Sequence, residues 1–338
     1  MKTIPNYTIV LAMACLCCSS PRLEAKIKYV KVTPRQDLAA LVRNARANTA
    51  FLLTPGTYRL KPQEPHLQGV LLENKSNVAI IGKNRDATRI ELSAGMKFGF
   101  YIGSNLSNVT IQGLTISGTP PLKENTHAIG NYSGSTKNKG LRFTNLRIEK
   151  VAVGISVATA VTSDYEDVLI DGNIIGPTVG TDAGWGYGVH IENATKVTVS
   201  NNLIRECTRH SIYLARAAKH SEISIRRNLI LDHDAAAKQS RWYCAALACA
   251  RSSGVTISGN LIVNPRTIAI SVEPDEYMGW PTENVSLFSN RVLNSRRVGI
   301  WVTSGGSCNA LANAVSLDPS PPDPQWCREL STYDYARG

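Results

Sequence analysis

The sequence predicts an all-β chain wound into a coil of short parallel strands, three to a turn. Two observations carry that expectation. One segment recurs with few changes, as NVAIIGKN, NVTIQGLTI, GLRFTNLRI, DVLIDGNII, KVTVSNNLI, EISIRRNLI, GVTISGNLI and NVSLFSNRV. Its turn residue falls at Gly113, Asn145, Asn173, Asn202, Asn228, Asn260 and Asn290, in steps of about 26–32 residues, a period typical of repeat architectures. A further strand precedes most copies: GFYIG, VGISV, GVHIE, SIYLA, ALACA, AISVE and GIWVT, with apolar residues alternating at period two. Nothing of helical period separates the strands, which argues against a doubly wound α/β fold. Two-residue hairpin turns are missing too, which argues against a propeller or a sandwich. A polar residue repeated at one turn position can stack along such a coil and satisfy backbone groups.

Taken in order, residues 1–25 read as an export signal. Lys2 is the only early charge, Thr8 to Cys18 is an apolar core, and Leu-Glu-Ala ends at Ala25. That run is too short to span a membrane, so a secreted or periplasmic protein is expected. Residues 26–50 form an N-terminal cap with an amphipathic helix over Gln36–Ala47, followed by a strand and the PGTY turn. The coil occupies residues 51–315 and a C-terminal tail residues 316–338.

The chain has 338 residues, 43% hydrophobic and 19% charged, which marks a folded protein. A net charge of +11 points to an acidic partner. No run of basic residues marks a nucleic-acid tail and aromatics are only 7%, so an acidic polysaccharide is expected rather than nucleic acid. Of the eight cysteines, five follow the signal. Cys308 and Cys327 bracket the C-terminal segment as an expected staple, Cys207 with Cys244 is a weaker pairing, and Cys249 is an inward thiol. No pair has zinc-site spacing, so no thiolate metal site is read.

The three-strand repeat, the inward β-branched residues and the helix followed by PGTY resemble the right-handed parallel β-helix proteins of the pectate-lyase-like superfamily, over roughly residues 50–315. The resemblance implies a β-helix of about ten rungs with a short N-terminal capping helix, and a monomeric carbohydrate-active enzyme. It often implies cleavage of uronic-acid polymers by β-elimination. The superfamily's N-T-D, G-H-G, D-P-H-D and Arg-x-Pro-x-x-Arg signatures are absent, which leaves the activity to the residues of the groove.

Insertions at 118–126, 177–186, 233–242 and 274–283 are expected to wall a groove. They bring Trp185, Trp242, Tyr277 and Trp280, whose rings suit the apolar faces of sugars. Aligned strands put Tyr101, Ser156, His190, Tyr213, Ala248, Ser271 and Trp301 in one outward column. Gly103, Ala158, Glu192, Ala215, Ala250, Glu273 and Thr303 form the next. His190 and Tyr213 then become lateral neighbours about 5 Å apart at the backbone. β-Elimination needs a cation for the uronate carboxylate, a base for the C5 proton and an acid for the leaving oxygen.

Arg216, with Arg251 one rung behind, is the expected cation, His190 the base and Tyr213 the acid. Arg209, His210 and Lys219 are reserves, and Glu192 and Glu273 are expected to contact substrate. Asp232-His233-Asp234 is the alternative nucleus for a hydrolase or a Ca²⁺ site, although no cofactor is required. An epimerase or a glycoside hydrolase on the same fold, or a β-helix that only binds glycan, are the competing readings. The bland reading of His190 and Tyr213 is an ordinary cross-strand pair.

Overall fold

The computed structural model describes residues 26–121, 125–131, 137–158, 165–179, 185–217, 221–233, 244–274, 281–303 and 307–317. Among them the chain forms three sheets of 11, 10 and 9 strands. Successive strands join the first sheet (from Lys28–Val32), the second (from Gly56–Leu60) and the third (from Gln68–Leu72) in rotation. All pairings of named strands are parallel, so each turn lies directly on the last.

The core follows from this register. Val189, Ile212, Leu247, Ile270 and Ile300 stack in one inward column, and Ile191, Leu214, Cys249 and Val272 in the next. Cys249 is buried as an inward thiol among them. Each fully buried aliphatic side chain in such a stack contributes roughly 1.5–3 kcal/mol.

The polar stack between the first and second sheets also forms. Asn173, Asn202, Asn228, Asn260, Asn290 and Asn313 each accept an amide N–H···O bond from the position before, with the Asn-to-Asn bonds all 2.9 Å. Each Nδ2 also donates to a main-chain carbonyl, so the side chains repair the breaks in backbone pairing at this corner. The stack starts one residue off the expected alignment. Leu146, not Asn145, donates its backbone N–H to Asn173, and Asn145 is instead a left-handed turn residue at φ 51°.

Four further expectations need correcting. The third sheet has nine strands, so at most nine turns carry all three sheets, short of the ten rungs expected. The helix expected over Gln36–Ala47 shrinks to six residues, Leu38–Arg43, capped by Asp37, whose Oδ1 accepts from the Ala40 N–H at 3.0 Å. Asn44 ends it, and left-handed Asn48 leads into the strand Thr49–Leu53. The first sheet begins at Lys28, inside the segment read as cap. Cys207 is a free buried thiol, pushed up to about 12 by burial, so the Cys207–Cys244 pairing is not made. Cys327 lies outside the described residues.

Candidate active site

The third sheet carries the expected outward column, and its register places those residues as aligned, with one turn added. His127–Gly130 is a strand of this sheet, pairing with Phe98–Ile102 on one side and Val153–Val157 on the other. Gly130 therefore separates Tyr101 from Ser156 in the column. Beyond that point the pairs Ser156–His190, His190–Tyr213, Tyr213–Ala248, Ala248–Ser271 and Ser271–Trp301 are all in register.

Four rings cluster at the centre. The His190 and Tyr213 ring centroids are 5.4 Å apart. Tyr187 stacks on His190 at 5.0 Å, and His210 on Tyr213 at 5.0 Å. Tyr187 and His210 complete the square at 5.7 Å. Simple alternation hides Tyr187, because the period breaks at Gly188, whereas His210 is one of the reserve candidates of the sequence and lies one turn on at the equivalent position. A Cβ at Gly188 would lie 2.8 Å from Ile204 and 3.1 Å from the Cys207 sulfur, both core side chains. Gly188 and Val189 thus both face inward as the strand leaves the corner, and position 187 turns out to the groove. His127 sits on the same row, paired with Val153, which in turn pairs with Tyr187, and its ring is 5.7 Å from Trp185.

Electrostatics divide these rings into roles. His210 is buried, and burial lowers it to about 3 against the opposing effect of its 2.8 Å bond to the Ala245 carbonyl. That bond places the proton on Nδ1, and burial keeps the ring neutral. His127 is likewise lowered to about 3 by burial, opposed by its contact with the Asn125 carbonyl. Burial also raises Tyr187. Neutral His210 thus stacks flat on the Tyr213 ring.

His190 is the more accessible imidazole, its side chain 12% exposed. Nε2 lies 3.3 Å from Glu192 Oε1, and Nδ1 lies 3.5 Å from the Ser156 hydroxyl. Arg251 donates to the Tyr213 hydroxyl at 3.4 Å, and Arg216 lies 3.8 Å from Glu192. Burial works to raise the Glu192 carboxyl, but the His190 contact and the Arg216 and Arg251 charges outweigh it and hold Glu192 below the usual range. Arg209 lies against the cluster, its guanidinium 4.9 Å over the Tyr187 ring.

Of the remaining expected residues, Glu273 lies in one row with Glu192, Ala215 and Ala250, three turns from Glu192. Burial raises it, partly offset by Ser271. Trp185 packs edge-on to Tyr187 at 5.8 Å. Lys219, Trp242, Tyr277, Trp280 and Asp234 lie outside the described residues. Asp232 and His233 sit at the corner between the second and third sheets, and among the described residues no cluster has the makings of a metal site. No described helix is long and apolar enough to cross a membrane.

Residues 63–315, more than half of the chain, match the family model described as "Right handed beta helix region". The chain belongs to this family. Among solved structures it is similar to the PL6 family alginate lyase AlyGC, with a TM-score of 0.60 at 13% identity, covering 88% of this chain and 41% of that one. It is similar to pectate lyase Pel9A, with a TM-score of 0.55 at 12% identity over 88% of this chain and 79% of that one. The alginate lyase from Paenibacillus sp. str. FPU-7 gives 0.52 at 14% identity, over 84% of this chain and 99% of that one. The chain thus spans less than half the length of the AlyGC lyase, and at such identities the likeness is one of fold. No curated protein sequence matches it.

Proposed function

We propose that this β-helix is a secreted polysaccharide lyase that cleaves a uronic-acid-containing polymer by β-elimination on the floor around His190 and Tyr213. The observation that carries the reading is the pair of arginines on adjacent turns beside these two rings, with Arg251 donating to the Tyr213 hydroxyl. The similar folds of alginate and pectate lyases support the reaction class.

In this reading Arg216 and Arg251 meet the substrate carboxylate and stabilise the charge that develops when C5 loses its proton. His190 takes that proton, and Glu192 orients the imidazole and stabilises the imidazolium. The C5–H electron pair becomes the C4–C5 double bond as the C4–O bond breaks. The leaving oxygen takes the Tyr213 proton, and the Arg251 N–H steadies the phenolic oxygen. His210 and Tyr187 act as positioning residues that fix both rings. Glu192 and Glu273, three turns or roughly 14 Å apart by strand spacing, are too widely spaced for the carboxylate pair of a hydrolase.

The test is ultraviolet absorbance of the unsaturated product on alginate, polygalacturonate and glucuronate-containing polymers. Tyr213→Phe is expected to lower turnover by about 10²–10⁴-fold, the usual worth of a general acid, with the melting temperature unchanged. New reducing ends without unsaturation would replace the reading with hydrolysis. Exchange at C5 without chain cleavage would replace it with epimerisation.

A further inference from the structure

The outward side of the second sheet changes character along the coil. Near its start the outward residues are charged and tied to one another, Glu91 to Arg59 and Arg89, and Glu149 to Arg89. From residue 174 onwards they are aliphatic. Register stacks Ile174, Leu203, Leu229 and Leu261 in one outward column on four successive turns, with Leu231 and Val263 beside the last two in the next column. Each neighbours a fully buried residue of its own strand, Ile175, Ile204, Ile230 or Ile262, so each points away from the core and is only half-buried. The coil itself does not demand this. On the same turns the first sheet presents hydroxyls outward, stacking Thr198, Ser224 and Thr256. Among the described residues, the strands of the aliphatic face make their main contacts with neighbours in their own sheet.

Between side-chain positions this face measures roughly 14 Å along the coil, three strand spacings, by about 7 Å across it. That is far less than the ~800 Å² per partner that a stable dimer buries. It matches one short helix, about 10 Å wide and rising about 1.5 Å per residue. A segment of that kind follows the last described strand, Ala314–Leu317, which lies in this same sheet. Residues 318–338 lie outside the described residues, and their sequence has two parts. Asp318–Pro324 reads DPSPPDP, with prolines at 319, 321, 322 and 324, a stiff extended spacer of about 3.1 Å per residue. It reaches roughly 20 Å, enough to run back from Leu317 to any turn between Leu261 and Leu203, two to four strand spacings away. Asp323-Pro324 then reads as a helix start, a capping residue followed by proline in the first turn. Trp326, Leu330 and Tyr333 recur at i, i+4 and i+7, which forms one apolar stripe, and Arg328, Glu329 and Asp334 fall outside it.

We infer that residues 324–335 form an amphipathic helix that docks across the outward face of the second sheet, seating Trp326, Leu330 and Tyr333 on the column of Leu203, Leu229 and Leu261. The chain's own segment is thus the occupant of the face. It covers on the outside the strands that Ile204, Ile230 and Ile262 anchor on the inside. This placement also parts two cysteines. Cys308 opens the strand Cys308–Leu311 of the first sheet, with that strand and the Asn313 corner between it and the second sheet. A helix on the second sheet holds Cys327 beyond the ~7 Å Cα separation that a disulfide tolerates, so the Cys308–Cys327 staple is not made.

The experiment is hydrogen exchange read by mass spectrometry on the full chain, with a synthetic peptide of residues 318–338 as the unfolded standard. Amides of residues 327–335 are expected to exchange at least about tenfold slower in the protein than in the peptide. L229D/L261D puts charge on the face, and W326S/L330S removes the anchors. Each is expected to return these amides to within about twofold of the peptide rate. Slow exchange retained in residues 187–192 shows that the coil of either variant is intact. Peptide-like exchange in the parent overturns the inference, as does protection that survives L229D/L261D. A parent that sediments as a dimer and turns monomeric on L229D/L261D would give the face to a second copy and overturn it too. So would a Cys308–Cys327 disulfide in a non-reducing peptide map.

Discussion

Arg216 and Arg251 stand where the chain leaves the third sheet through a left-handed residue. On other turns that residue is Asn74, Asn105 or Asn193, at φ 52°, 59° and 50°, and asparagine tolerates the conformation. The two arginines hold φ 54° and 52° with no such tolerance, at a cost of about 1–2 kcal/mol each. Arg216→Asn is therefore expected to raise stability by about 1 kcal/mol in chemical denaturation while turnover falls. A destabilised Arg216→Asn would show that the arginine is kept for packing.

Glu273 gives a second test at this scale, with a defined sign. Burial raises its folded value above the unfolded one, so its favourable contribution is complete in acid and is lost as the pH rises through the folded value. Glu273→Gln should then melt higher than the parent at neutral pH, and the gap should close near roughly pH 4, where both forms are neutral. A gap that is constant with pH would place the effect in packing.

At the scale of the strand and turn, the asparagine stack is the most demanding feature. Asn228 is buried and its side chain makes four bonds: two accepted from Asn202 at 2.9 and 3.1 Å, and two donated, to Asn260 at 2.9 Å and to the Val199 carbonyl at 3.0 Å. Truncating it leaves several buried groups without partners, each costing about 1–3 kcal/mol, so Asn228→Ala should lose on the order of 3 kcal/mol in denaturant titration. This stack was legible in the sequence because asparagine recurs at one place in an otherwise apolar segment. It was misread at Asn145, where the true position holds Leu146 and an adjacent asparagine drew the alignment. The His127–Gly130 strand was missed for a related reason. HAIG is four residues long, carries a polar residue at one end, and follows an inserted segment. Tyr187 was hidden by geometry rather than composition. Period-two reading assumes an unbroken pleat, and at Gly188 the strand turns a corner with two successive residues facing in.

Over the whole molecule, stability is a sum of neighbouring turns, because each turn touches only those above and below it. The central turns combine fully buried stacks such as Ile191, Leu214 and Cys249 with the asparagine stack. The last described turn is different. Leu311 is 70% and Val315 46% exposed, and among the described residues the strands Cys308–Leu311 and Ala314–Leu317 pair on one side only. Few buried apolar contacts and unpaired backbone groups are the conditions for local opening well below the global unfolding free energy. Amide exchange on the full chain should therefore be slowest in strands 187–192, 212–215 and 245–250 and become progressively faster towards 308–317. If residues 308–317 exchange as slowly as residues 245–250, the end of the coil is covered in solution and fraying from that end is ruled out. A graded profile has a functional consequence as well. The ring cluster at His190 and Tyr213 lies on the most protected turns, where side chains are held in the fixed geometry that proton transfer requires.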